Sequence, residues 1–287
     1  MCAHTLALAD GVTWSIAAAD TPAAPFVDRL AAVMQLDRRP AQPDLAACRL
    51  LLATPEPSHP APTAMPAAVH AVRRGAAVHW TLAPESDDDA WFFGQAVRLS
   101  ALIGLRAQCC GGALVHAALA LRPGAREASG ILLAAAGGTG KSTAARRLPP
   151  PWHALCDDMA LVVRDGAGRY WAHPWPTWSR FLDGGPGGSW PTAQAVRLTA
   201  IFFLEQARVD AAAPIGPGHA AAALVQSIAQ ASNQMTRGAN CELLRALHLE
   251  WFEAAARLAH CIPCFVLQLT QDGTFWDALG QALDTTP

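Results

Sequence analysis

The sequence predicts a mixed α/β (α+β) fold: a core sheet built around a phosphate-binding loop, with flanking helices, behind a small and mostly β N-terminal region. Three observations carry this. An apolar run, Ile131 to Ala135, leads through Ala136 into Gly137-Gly138-Thr139-Gly140-Lys141-Ser142-Thr143, and a helix-competent stretch follows. Short apolar runs recur along the chain, separated by turn pairs such as Asp10-Gly11, Pro123-Gly124 and Asp165-Gly166. Apolar residues make up 52% of the 287 positions and charged residues only 15%, against about 25% in an average soluble protein, so a sizeable core can be buried.

The elements follow in order. Thr5 to Ala9 and Val12 to Ala17 flank Asp10-Gly11 as a hairpin. Phe26, Leu30 and Val33 recur at helical spacing, and Arg49 to Ala53 reads as a strand. Pro55, Pro57, Pro60, Pro62 and Pro66 then forbid a helix or a central strand and predict an extended surface loop. Val69 to Arg73 and Ala76 to Leu82 read as a second hairpin around Arg74-Gly75. A boundary near Pro84 divides residues 1–84, a β-rich region suited to docking a peptide or partner, from a nucleotide-binding domain over 85–287. Asp87, Asp88 and Asp89 suit the positive start of a helix whose face carries Phe92, Ala96, Leu99 and Ile103 and which stops at Gly111-Gly112. Leu114 to Leu121 and Ile131 to Ala135 form an apolar hairpin, which sets His116 opposite Ala135, beside the loop. His153 to Cys156, Ala160 to Val163 and Arg169 to Ala172 are short strands, the last two joined at Asp165-Gly166. The segment from His173 to Phe181, rich in tryptophan, reads as a loop anchored by aromatic packing or, alternatively, as a wall for a peptide or nucleotide base, with His173 and Arg180 its notable polar residues. Leu198 to Glu205 and Ile262 to Leu269 read as buried strands. Between them Asn240 caps a helix carrying Leu244, Leu247, Trp251 and Leu258, and Phe275 to Leu283 closes the chain as a helix.

Composition excludes several classes of function. A net charge of −2 and a pI near 6.5 argue against a nonspecific nucleic-acid binder. The one long charge-free run, Ala211 to Thr236, is broken by Pro214 and Pro217 and is a poor membrane span. No basic stretch leads into an apolar one at the N-terminus, which predicts no secretory signal. The eight cysteines show no regular spacing, so reduced thiols in the cytoplasm are expected. Cys261-Ile262-Pro263-Cys264 lacks the second pair a structural zinc site needs and reads as two half-buried thiols.

The loop carries the chemistry. The pattern G-x-x-x-x-G-K-[ST] is met except at its first position, where Ala135 stands. Gly137, Gly138 and Gly140 let backbone N–H groups turn inward around phosphate oxygens. Lys141 supplies a compact ammonium for the β- and γ-phosphates, Ser142 a hydroxyl for Mg²⁺, and Thr143 continues the motif. Lys141 is the only lysine among 21 Lys and Arg residues, in a chain that otherwise uses arginine. Downstream, Asp157-Asp158 can divide its labour between holding Mg²⁺ and accepting a proton.

These residues resemble the HPr kinase family of P-loop protein kinases: His116 in a strand, strand–GGTGKST–helix, and a Cys-Asp-Asp before a hairpin. Leu148 to Asp158, Ala172 to Phe181 and Ala200 to Gln206 resemble more closely the HPr-kinase-like ScmC type of the SynChlorMet peptide-maturation cassettes. The resemblance implies ATP and Mg²⁺ as cofactors and γ-phosphate transfer to a Ser or Thr hydroxyl. Residues 136–143 would bind the nucleotide, Asp157 would be the base, Asp158 with Ser142 would serve the metal, and His116 and Lys141 would lie at the reacting phosphate. The partner implied is a precursor peptide or small protein, alongside other maturation enzymes; a homo-oligomer is compatible. The family's Glu-x-Arg-Gly signature is absent after the aspartates, which leaves a second acidic metal ligand unassigned. The alternative is a nucleotide-gated peptide-binding module without phosphotransfer; a small-molecule kinase on the same scaffold is a third reading.

Overall fold

The computed structural model describes residues 2–40, 48–54, 65–73, 77–83, 89–122, 129–135, 138–182, 187–236 and 241–285. The architecture is mixed α/β with two sheets. The first sheet starts with β1 (Cys2–Ala7) and β2 (Thr13–Ala18), antiparallel with Ala7 facing Thr13, as the Asp-Gly signal predicts. Gly11 makes the turn at φ +86°, a conformation that L side chains rarely adopt. α1 (Ala24–Met34) buries Phe26, Leu30 and Val33 against this sheet and returns the chain to β3 (Asp37–Pro40) beside β1.

Next come β4 (Cys48–Ala53), α2 (Met65–Arg73) and β5 (Val78–Thr81). Here the structure corrects two expectations. Residues 69–73 belong to a helix, not to a hairpin strand: Ala68, Val69 and Val72 are buried at helical spacing. β5 lies parallel to β4, and a parallel pair requires such a crossover. Pro66 also sits inside α2, in its first turn, where an N–H would have no partner anyway. The rest of the proline-rich stretch, 55–64, lies outside the described residues, as do Arg74-Gly75 and the Pro123-Gly124 turn.

α3 (Asp89–Cys109) is the predicted long helix, with Phe92, Ala96, Leu99 and Ile103 all buried; Asp87 and Asp88 lie outside the described residues. The two glycines after it do different things. Gly111 turns at φ +90°, whereas a Cβ on Gly112 would sit 2.1 Å from the Val162 carbonyl oxygen.

The second sheet contains β6 (Ala113–Val115), β7 (Ala117–Leu121), β8 (Ser129–Ala134), β9 (His153–Cys156), β10 (Met159–Arg164), β11 (Tyr170–Trp175) and β12 (Val196–Gln206), with α4 (Lys141–Arg147) after β8 and α5 (Ser179–Leu182) after β11. Their order is β6-β10-β11-β12-β8-β7-β9. β6 and β7 are one extended segment split at His116, so the sheet curls back on itself there. β11 runs three residues further than expected and takes in His173, Pro174 and Trp175. β12 pairs with β11 only at Trp171 and Ala172, so Pro174 lies on a free flank, where a missing N–H is tolerated.

The chain ends with β13 (Ala211–Pro214), α6 (Pro217–Ala231), α7 (Asn233–Thr236), α8 (Cys241–Cys261), β14 (Cys264–Leu269) and α9 (Phe275–Asp284). Asn240, the expected cap of α8, lies outside the described residues. The charge-free run that reads as a poor membrane span holds β13, α6 and α7, and no described helix is long and apolar enough to cross a membrane.

β8 and β12 are covered on both faces. Leu132, Ala134, Ile201 and Phe203 join the core under α6 and α8, while Ile131, Leu133, Phe202 and Leu204 join a second core with α4 and α9. This alternation explains why both strands read as unbroken apolar runs.

Candidate functional site

β8, β12 and β14 run parallel, so their carboxyl ends share one edge, the side of an α/β sheet where ligands bind. β8 delivers the chain to Ala135 at that edge; Ala136 and Gly137 lie outside the described residues. Gly138 and Gly140 follow at φ +79° and +109°. Among the described residues nothing lies within 4 Å of a Cβ built on either, so these glycines supply backbone conformation.

Lys141 opens α4 and folds back so that its Nζ donates to the Ala135 carbonyl at 2.9 Å. The side chain is largely buried. Burial lowers its pKa from the ordinary lysine value, and the negative charge of Asp158 opposes that shift. An ammonium desolvated in this way gains from an arriving anion. Ser142 Oγ donates to the Asp157 carbonyl at 3.3 Å, Gln206 Nε2 reaches the Thr139 carbonyl at 3.4 Å, and Thr143 is exposed. On the α4 side the loop opens into a cavity of about 480 Å³, lined by Gly138, Thr139, Thr143, Arg147, Gln206 and Gln271. Arg147 is held there by the carbonyls of Thr270 and Gly273.

His116 stands across from the loop. The pairing of Ala117 with Ala134 brings position 116 level with Ala135, as the hairpin spacing predicts. Its backbone leaves the sheet and bonds α6: the His116 amide donates to the Ser227 carbonyl, and Ser227 Oγ donates to the His116 carbonyl at 2.9 Å. The ring is thereby fixed with Nε2 3.0 Å from Asp158 Oδ1 and Nδ1 2.7 Å from Gln230 Oε1.

The two aspartates part company. They lie where the chain leaves β9, a partner of β7, for β10, a partner of β6 and β11. Asp158 turns to His116. Asp157 is buried and accepts from Thr177 Oγ1 at 2.6 Å and from the Arg180 guanidinium, while Trp190 Nε1 donates to the same Thr177 oxygen at 3.1 Å. The structure therefore groups His116, Lys141, Ser142 and Asp158 around the loop and gives both oxygens of Asp157 to the segment after β11. Among the described residues there is no cluster of three or more His, Cys, Asp or Glu able to hold a metal. A divalent ion carried in on phosphate oxygens needs only one or two protein oxygens; Ser142, whose Oγ lies on the Asp157 carbonyl, and Asp158, the next residue, are the ones that would supply them.

Other residues singled out in the sequence lie elsewhere. His173 is fully buried in β11; its Nδ1–H donates to the Thr192 carbonyl at 2.9 Å and its Nε2 accepts from the Ala9 amide at 3.1 Å. Burial pushes its pKa down to about 4. Trp175 and Trp178 are buried, in keeping with aromatic packing. Burial pushes the Cys264 thiol up to about 12, and such a thiol is inert. Sequence reasoning missed Gln206, Gln230, Thr177 and Arg147. The pair Glu205-Gln206, ending an apolar strand with two polar residues, was the one local signal available.

Comparison with known families gives a match. The model described as SynChlorMet cassette protein ScmC matches residues 81–284, which takes in the second sheet and its helices and leaves out nearly all of the first. Among curated proteins, none matches the sequence.

Proposed function

The chain belongs to the SynChlorMet cassette protein ScmC family, whose setting is a peptide-maturation cassette, and we propose that it transfers the γ-phosphate of ATP to a Ser or Thr hydroxyl of a precursor peptide or small protein there. The observation that carries this reading is the meeting, at one sheet edge, of Lys141 behind two positive-φ glycines with the His116–Asp158 pair. The HPr-kinase-like resemblance supports the same chemistry.

In this scheme the loop amides and Lys141 hold the β- and γ-phosphates, and the 480 Å³ cavity receives the rest of the nucleotide. Ser142 and Asp158 would hold Mg²⁺, which neutralises charge on the transferring phosphoryl group. The acceptor oxygen attacks the γ-phosphorus, the bond to the bridging oxygen breaks, and ADP departs with that electron pair. Asp158 holds Nε2 of His116, so the hydroxyl proton passes to Nδ1 once the Gln230 side chain turns away from it. Asp157, the base implied by the resemblance, has both oxygens engaged by Thr177 and Arg180; it serves as the base only if that pair opens.

The test is transfer of label from γ-labelled ATP to a cassette precursor peptide. Lys141→Ala should abolish labelling, and comparison of Asp157→Asn with His116→Gln identifies the proton acceptor. The engagement of Asp157 favours a second reading, a nucleotide-gated module that presents the peptide to other maturation enzymes. That reading expects a nucleotide-dependent complex with the peptide and no labelled product.

A further inference from the structure

The end of β12 divides the space around the glycine-rich loop. Side chains alternate along a strand, so Leu204 and Gln206 face the α4 side while Phe203 and Glu205 face the α6 side. Gln206 lines the large cavity described above. Glu205 lines a separate slot of about 220 Å³, bounded by Ala135 and by Gln226, Ser227 and Gln230 of α6.

The slot lies next to the reacting groups. Ala135 receives the Lys141 ammonium on its carbonyl, and Gln230 receives the His116 ring. Its polar lining is Ser227, whose hydroxyl donates to the His116 carbonyl, the exposed amides of Gln226 and Gln230 at i and i+4 on α6, of which Gln226 and the Nε2 of Gln230 suit the N–H and C=O groups of an extended peptide, and one carboxylate. Among the described residues that line it, Glu205 is the only charged one. A carboxylate there attracts a cation and repels an anion, and phosphate carries negative charge. The slot is therefore built for the partner that is not the nucleotide.

We propose that this α6-side slot is the acceptor site, and that Glu205 selects a hydroxyl-bearing peptide segment with a lysine or arginine beside the hydroxyl, and rejects segments with acidic neighbours. The assignment rests on the phosphoryl-transfer reading for its chemistry, though not for its charge preference.

The probes are short synthetic peptides with one serine flanked by lysine, by alanine or by glutamate. Two quantities are read on the full chain: labelling from γ-labelled ATP, and peptide binding by fluorescence anisotropy in the presence of a non-hydrolysable ATP analogue. Wild type should favour lysine-flanked over glutamate-flanked peptides by roughly tenfold in both, the swing between an attractive and a repulsive surface pair. Glu205→Gln should flatten the preference, Glu205→Lys should invert it, and high salt should shrink it. Labelling without charge preference, or with the same preference in Glu205→Lys, overturns the slot and leaves phosphoryl transfer standing. Charge-dependent binding with no labelling supports the slot and overturns transfer. A Glu205→Gln variant that needs more Mg²⁺ yet keeps the peptide preference assigns the carboxylate to the metal and overturns the slot. No binding and no labelling overturns both.

Discussion

His173 makes the stability of this protein depend on pH in a way that can be worked from its surroundings. The ring is fully buried, and its pKa lies at about 4 against 6.5 for a free histidine. The first cause is desolvation; in addition, the Ala9 amide donates to Nε2, so a proton placed there would face an N–H. The folded state thus refuses a proton that the unfolded chain accepts. Stability is full above pH 6.5 and falls as the pH drops from there toward about 4. The loss approaches one proton's worth, about 1.4 kcal/mol per pH unit, or about 3 kcal/mol in all and about 2 kcal/mol at about pH 5. The assay is denaturant unfolding followed by tryptophan fluorescence at neutral pH and at about pH 5, for wild type and His173→Gln. The amide can donate to Thr192 and accept from Ala9 but does not titrate. The variant should start less stable and lose less on acidification, by about 2 kcal/mol. Parallel losses in the two proteins would refute the reasoning.

Other outcomes follow from the same geometry. Arg180→Ala removes the counter-charge of the buried Asp157 carboxylate, leaving it the Thr177 hydroxyl, and should cost about 3 kcal/mol in denaturant unfolding, part of it recovered by adding Asp157→Asn; a cost below about 0.5 kcal/mol would show the pair to be idle. Gly112→Ala drives a methyl into the Val162 carbonyl and should cost about 2 kcal/mol or more, read as a fall in Tm; an unchanged Tm would show that β6 and β10 can separate there freely. His116→Gln should abolish phosphoryl transfer while the Tm shift given by nucleotide survives; loss of both would make the residue structural.

What the chain reveals on its own is what lies close in sequence. The hairpin at Asp10-Gly11, the faces of α1 and α3, and the position of His116 opposite Ala135 all follow from local spacing and turn chemistry. α2 escaped because alanine- and valine-rich stretches of nine residues suit either structure, and its identity depends on β4 and β5 being parallel. α6 escaped because a run of alanines carries little contrast between its faces. The motif from Gly138 to Thr143 and the proximity of His116 were legible. The parting of Asp157 from Asp158 was not, because Thr177 and Arg180, which draw Asp157 away, come from beyond a hairpin. The placing of Glu205 and Gln206 on opposite sides of the loop likewise required knowing that β12 runs beside β8.

The central claim is that the loop from Gly138 to Thr143 holds nucleotide phosphates through Lys141. Thermal unfolding with Mg²⁺ and ATP, in wild type and in Lys141→Ala, tests it most directly. A ligand at about 100 times its Kd adds about 2.7 kcal/mol to the folded state, so wild-type Tm should rise plainly and that of Lys141→Ala should not. An equal rise in both proteins, or no rise in either at saturating nucleotide, would contradict the account.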